Sequence, residues 1–188
     1  IAEYWSDDVP GLTITPAGRW ISVANQAMQK AKVHSREMLE IYLKLGFALS
    51  DVMVLCWDAK YQFNLLRPET YIRKVINPAW HALHDTPPFP TYPSGHSAIG
   101  AASAEVLAAF LGNKFELTDR THENRQEFDG RPRTFQSFDE MARENAVSRL
   151  ALGVHFRMDC EEGLRIGKII GQKVAALPLH PSEVGVRN

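Results

Sequence analysis

The stretch that decides the fold is TYPSGHSAIGAASAEVLAAF, residues 91–110. Pro93 and Gly95 suit a tight turn, and a small, apolar run follows them. That order predicts a turn and then a helix from about His96 to Leu111. A turn needs only the proline and the glycine; Ser94 and His96 ask for a second reason. A helix N-terminus presents free N–H groups and the positive end of the helix dipole, and so attracts anions. Gly95 lets backbone approach closely, Ser94 adds a hydroxyl, and His96 can take or give a proton near neutral pH. The plainer alternative is a turn with Ser94 as N-cap and a histidine satisfied by its neighbours.

Outward from this helix, the pattern stays helical. Met38, Leu39, Tyr42, Leu45, Leu49, Val52 and Met53 recur at spacings of three and four. This predicts helix over most of residues 18–66, in one piece or in two, with Gly46 and Ser50 as the weak middle. Pro68 ends that helix at or before Arg67. Residues 70–82 suit a short helix, and Pro87, Pro88, Pro90 and Pro93 predict a stiff loop. Residues 4–18 read as an irregular lead-in and residues 117–135 as a long polar excursion. Residues 138–152 are helical again. Asp159, with Glu162 three residues on, predicts the capped start of a last helix carrying Leu164, Ile166, Ile169, Ile170 and Val174. Strand-like alternation is sparse. The expected fold is all-α, an irregular helical bundle in a single domain over residues 1–188.

Composition narrows the function. An apolar content of 45% in 188 residues supports one sizeable core. A net charge of −1 gives no electrostatic ground for a nucleic-acid partner. The longest small and apolar stretch, residues 98–112, holds Ser103 and Glu105 and is shorter than the ~20 residues of a membrane span, so no span is expected. Cys56 and Cys160 leave open one bridge or two thiols.

Two further clusters carry chemistry. In WDAKYQFNLLRP, residues 57–68, Lys60 and Arg67 stand seven apart. On one helix they fall within about 20° of each other, on a stripe shared with Trp57 and Asn64. Such a pair either converges on an anion or forms an ordinary solvated face. In SRLALGVHFRMD, residues 148–159, Arg149 and His155 stand about 240° apart on an unbroken helix. Gly153 offers a stop that turns His155 back beside Arg149. Asp159 then holds the imidazole in one tautomer, caps the last helix, or does both. Three cations, hydroxyl and backbone donors, and two histidines together make the complement of a tetrahedral oxyanion.

The pattern K-x(6)-R-P, then P-S-G-H, then S-R-x(5)-H-x(3)-D is complete between Lys60 and Asp159. It resembles the three-part signature of the superfamily that joins type 2 phosphatidic acid phosphatases, soluble bacterial acid phosphatases and vanadium-dependent haloperoxidases. The resemblance implies the acid phosphatase/vanadium haloperoxidase type of helical bundle. It implies that Lys60, Arg67 and Arg149 hold the equatorial oxygens of phosphate or vanadate, with Ser94 and Gly95 assisting. His155 is then the axial group, attacking phosphorus in the phosphatases and coordinating vanadium in the haloperoxidases. His96 is the acid and base, and Asp159 orients His155.

WSDDVPGLTITPAGRW, residues 5–20, and WDAKY, residues 57–61, resemble bacterial vanadium haloperoxidase-related proteins. In that branch an aromatic stands near the halide position before the P-S-G-H turn. Phe89 is the candidate here, with Trp57 a second; each alternatively packs its own surroundings. The first expectation is therefore a haloperoxidase-like enzyme with vanadate as cofactor, and with halide and hydrogen peroxide as small-molecule substrates. The alternative is a soluble acid phosphatase, working through phosphohistidine on a phosphate monoester, with phosphate as product ligand and no cofactor. A third reading is a non-catalytic anion-binding domain. Chains of the haloperoxidase-like type are longer, with the signature in their C-terminal half. The resemblance thus implies a C-terminal catalytic portion and a periplasmic or extracytoplasmic home. Trp20, Ile21, Val23, Phe47, Val54, Leu55 and Trp57 exceed what one buried stripe needs. They predict an apolar face covered by a missing N-terminal half or by a second copy.

Overall fold

The protein is described by a computed structural model that covers residues 1–7, 11–127 and 129–179. Among these residues lie six α-helices: α1 (Pro16–Ala31), α2 (Ser35–Phe63), α3 (Pro68–Val75), α4 (Gly95–Leu111), α5 (Phe138–Ala151) and α6 (Arg157–Ala175). The helix expected from residues 91–110 is α4, and it is the centre of the bundle, packed against α1, α2, α5 and α6. Ala98, Ile99, Ala101, Ala102, Ser103, Ala104, Val106 and Leu107 are all buried. A helix with neighbours on every side must be small and apolar on every side, which is why its sequence lacks a polar face.

The contact of α4 with α6 rests on glycine. A Cβ on Gly163, Gly167 or Gly171 would lie 2.6, 2.2 and 2.6 Å from the carbonyl oxygens of Ser94, Ala98 and Ala102. Three glycines at intervals of four form one bare stripe on α6, so backbone meets backbone along the crossing.

Residues 18–66 form two helices, but the break falls at residues 32–34, where Lys32 takes a left-handed conformation. Through Gly46 and Ser50 the chain stays helical, because Ile41, Leu45, Ala48, Leu49 and Val52 bury a continuous stripe. That burial outweighs the ~1 kcal/mol a mid-helix glycine costs. Asn64, at φ +48°, ends α2. Arg67 is extended before Pro68, which opens α3, and α3 stops at Val75, short of the range expected for it.

Other expectations need correction. The lead-in is irregular at residues 6–7 and 11–15, but Glu3–Trp5 form a 3₁₀ turn that buries Tyr4 and Trp5, and α1 already begins at Pro16. Residues 8–10 of that lead-in lie outside the described residues. The polar excursion contains two three-residue antiparallel strands, β1 (Leu117–Asp119) and β2 (Arg133–Phe135), with Leu117 opposite Phe135. Asp159 is not the N-cap of α6. Phe156 holds that place, and Asp159 reaches back from the third position to accept its N–H at 2.9 Å. Cys56 and Cys160 are buried thiols.

Of the apolar residues in excess of one stripe, Trp20 and Val23 are fully buried in the core. Ile21 on α1 and Phe47, Val54 and Leu55 on α2 are exposed, and Leu39 and Leu43 are further exposed apolar residues of α2. No helix among the described residues is long and apolar enough to cross a membrane.

Candidate active site

Three segments meet at one end of α4. The first is the end of α2 with the extended residues after it. The second is the proline-rich loop entering α4, and the third is the turn from α5 to α6. Ser94 caps α4: its Oγ accepts from the Ser97 hydroxyl at 2.9 Å and from the Ser97 N–H at 3.4 Å. Its own N–H donates to the Asp159 carbonyl at 2.9 Å, tying the starts of α4 and α6 together. Gly153, at φ +78°, turns the chain after α5 and brings His155 to the same place.

A cavity of about 200 Å³ forms there, with Lys60, Arg67, Gly95, His96, Arg149 and His155 in its lining. Trp57 and Phe89 stand in the same wall. A wider cavity of about 460 Å³ adjoins it and shares Phe89, Arg149 and Val154. The structure thus brings eight of the ten residues singled out by sequence to one cavity. Ser94 and Asp159 sit behind the wall, as cap and as support.

Lys60 and Arg67 get there by another route than a shared helical stripe. α2 ends between them, and Asn64 is exposed. The proline-rich loop gathers both cations instead. Lys60 donates to the carbonyls of Pro90, Thr91 and Pro93 at 2.9, 3.0 and 2.6 Å. Arg67 donates from Nε to the Phe89 carbonyl at 2.9 Å and from Nη1 to the Val154 carbonyl at 2.8 Å. The Phe89 ring packs 4.8 Å from that of Trp57, and the Arg67 guanidinium lies 4.9 Å over it.

His155 is held at both nitrogens. Nδ1 lies 3.1 Å from Asp159 Oδ2 and 3.2 Å from Thr91 Oγ1, and Nε2 lies 3.1 Å from Arg67 Nη1. A guanidinium only donates, so Nε2 accepts and the proton belongs on Nδ1, toward Asp159. Thr91 Oγ1 donates to the same Asp159 oxygen at 2.5 Å. By the same logic His96 Nε2, 3.2 Å from Arg149 Nη1, is the acceptor nitrogen of its ring.

Charge follows this geometry. Burial, helped by Arg67 and Lys60, lowers the His155 imidazole to about 4 against the opposing pull of Asp159. Burial and then Arg149, His155, Arg67 and Lys60 push His96 well below the usual imidazole range. Burial lowers Lys60 to about 8. Burial pushes the Asp159 carboxyl up, but hydrogen bonds from His155, Thr91 and the Phe156 N–H outweigh it and hold it low. At neutral pH both histidines are neutral and Asp159 is ionised. A cavity that resists further positive charge favours an anion.

Thr91 escapes a reading by sequence, although it stands three residues before Ser94 in the opening stretch. No spacing rule links a lone threonine to an aspartate 68 positions away. Trp5 escapes too: its carbonyl accepts from Arg149 Nη2 at 2.5 Å.

The family model of the VCPO second helical-bundle domain matches residues 75–180. Vanadium chloroperoxidase of Curvularia inaequalis is 25% identical over 213 residues, covering 83% of this chain and 35% of that protein. A solved structure described as the first bacterial vanadium-dependent iodoperoxidase aligns with a TM-score of 0.85 and 35% identity, over 92% of this chain and 42% of the other. A holo-type bacterial vanadium-dependent chloroperoxidase aligns with a TM-score of 0.71 at 18% identity, over 93% and 43%, a likeness of fold. The chain spans less than half the length of these relatives. With more than half of its residues under that one match, and the bundle and signature in place, the chain belongs to the VCPO second helical-bundle domain family.

Proposed function

We propose that this chain carries the oxyanion site of a vanadium-dependent haloperoxidase. The observation that supports this most is the convergence of Lys60, Arg67 and Arg149 on one cavity with two neutral histidines. The donor set fits vanadate. Among the described residues, no group of three His, Cys, Asp or Glu could hold a metal ion. Vanadate would ask for no such group: one imidazole would serve to hold it, with cations and N–H groups for its oxygens.

Lys60, Arg67 and Arg149 are the residues to hold those oxygens, with Gly95 at the open N-terminus of α4 beside them. Bound vanadate would supply an electrophilic metal that activates hydrogen peroxide for halide oxidation. His155 would be the residue to offer it a nitrogen, Nε2, which now accepts from Arg67, because Asp159 and Thr91 keep the ring proton on Nδ1. His96, neutral and bonded to Arg149, takes up or gives back a proton at Nε2. Trp57 and Phe89 keep the wall apolar, which strengthens every charge interaction inside.

The same nitrogen can attack phosphorus, so acid phosphatase chemistry is the competing reading. Paired assays on one preparation test the two. One follows halide oxidation with vanadate and hydrogen peroxide; the other follows phosphomonoester hydrolysis without vanadate. Oxidation supports the proposal, and hydrolysis without oxidation replaces it.

A further inference from the structure

A second buried polar cluster lies behind the site. Arg19, at the start of α1, donates from Nη2 to Asp119 Oδ2 at 2.6 Å and from Nη1 to Asp7 Oδ1 at 3.2 Å. Its Nη1 also reaches the Tyr4 carbonyl at 3.2 Å. The guanidinium lies 4.6 Å from the ring centre of Tyr4 and 4.7 Å from that of Trp5. The Tyr4 hydroxyl donates to the same Asp119 oxygen at 2.6 Å, and His122 Nε2 stands 2.9 Å from Asp7 Oδ1. The Trp5 indole N–H donates to Glu144 at 3.0 Å. Carbonyl, hydroxyl, both rings and indole of this dipeptide are therefore all fastened. Its remaining acceptor, the Trp5 carbonyl, meets Arg149 Nη2. Arg149 Nε is held by Ser148 Oγ at 3.0 Å, and Nη1 by His96.

We propose that Arg19 is a positioning residue for the oxyanion site. It fixes the Tyr4–Trp5 segment so that the Trp5 carbonyl sets the direction of the Arg149 guanidinium. The inference rests on the oxyanion reading of the cavity. A guanidinium is a rigid planar fork, so turning it redirects every N–H that faces the cavity. Lysine at position 19 would keep the charge between Asp7 and Asp119 but cannot reach both carboxylates and the Tyr4 carbonyl at once.

The test is a cycle of variants, with tungstate, a tetrahedral dianion, as the probe and calorimetry as the readout. Arg19→Lys is expected to weaken tungstate binding about fivefold in the otherwise unchanged chain. In an Arg149→Ala background, where no guanidinium remains to be directed, Arg19→Lys is expected to add nothing. Equal losses in both backgrounds would show a general structural role and overturn the inference, as would no loss in either. Tyr4→Phe, which removes one hydroxyl, runs through the same cycle with a smaller expected loss and decides the matter if Arg19→Lys does not fold. Failure of the unaltered chain to bind tungstate would overturn the oxyanion reading itself; failure of the cycle alone overturns only the role of Arg19.

Discussion

Arg19 and Lys60 are equally hidden, each 1% exposed, yet burial leaves them in opposite states. Burial pushes Arg19 down, but Asp7 and Asp119 outweigh it and its pKa ends above the ordinary value. Lys60 ends below its own, at about 8. The difference is in the partners. Carboxylates cancel a charge, and carbonyls only orient one. The Arg19 cluster is complete as it stands. The Lys60 cluster is oriented but keeps its charge, and an anion in the cavity would restore the balance that Asp7 and Asp119 supply to Arg19.

The comparison breaks most readily at His155. His155→Ala is expected to lower turnover at least about a thousandfold in either assay, because the nitrogen proposed to meet metal or phosphorus is gone. Near-normal activity would remove the site from that cavity. Next in size is Arg19→Met, which leaves Asp7 and Asp119 buried without their cation. It should cost roughly 3–5 kcal/mol in chemical denaturation. Lys60→Met is the contrasting case. Its expected stability loss is no more than about 1–2 kcal/mol, because no carboxylate is stranded, while tungstate binding loses roughly 1.5–3 kcal/mol. Equal stability losses for the two variants would erase the distinction drawn here.

The smallest expected effect is on pH. Lys60 is charged below about 8 and neutral above. Tungstate binding should therefore weaken as pH rises through 8, with the step absent in Lys60→Met. Stability without an anion runs the other way. The folded state holds the Lys60 proton less tightly than the unfolded chain. This lysine's cost to the fold is thus present below about 8, and it is relieved as pH climbs toward the ordinary lysine value of ~10.4.

Legibility in the sequence followed the length of the signal. The start of α4 was readable because proline, serine and glycine each have a local job there. α2 was readable because its periodicity runs long enough to survive Gly46. Lys60 and Arg67 do line one cavity, but not along one helical stripe: Asn64 adopts a left-handed conformation that no periodicity reports. The strands at Leu117–Asp119 and Arg133–Phe135 are too short to show alternation. The Arg19 cluster could not be seen at all, since Arg19 and Asp119 lie 100 positions apart and each alone resembles a surface charge.

The glycine stripe of α6 has a consequence for how the pocket loses its shape. Side-chain contacts can choose among rotamers, but the crossing at Gly163, Gly167 and Gly171 is made of backbone and has none to choose. Its spacing therefore has one value, and the Ser94–Asp159 bond at its end inherits that value. His96 and His155 ride on the two sides of this fixed joint. The distance between them is then set by where two main chains touch, and it holds until the joint itself comes apart. Heat should not loosen the pocket by degrees. Amide exchange at Ser94 and Ala98 should be as slow as anywhere in the core, and oxyanion binding should vanish together with it.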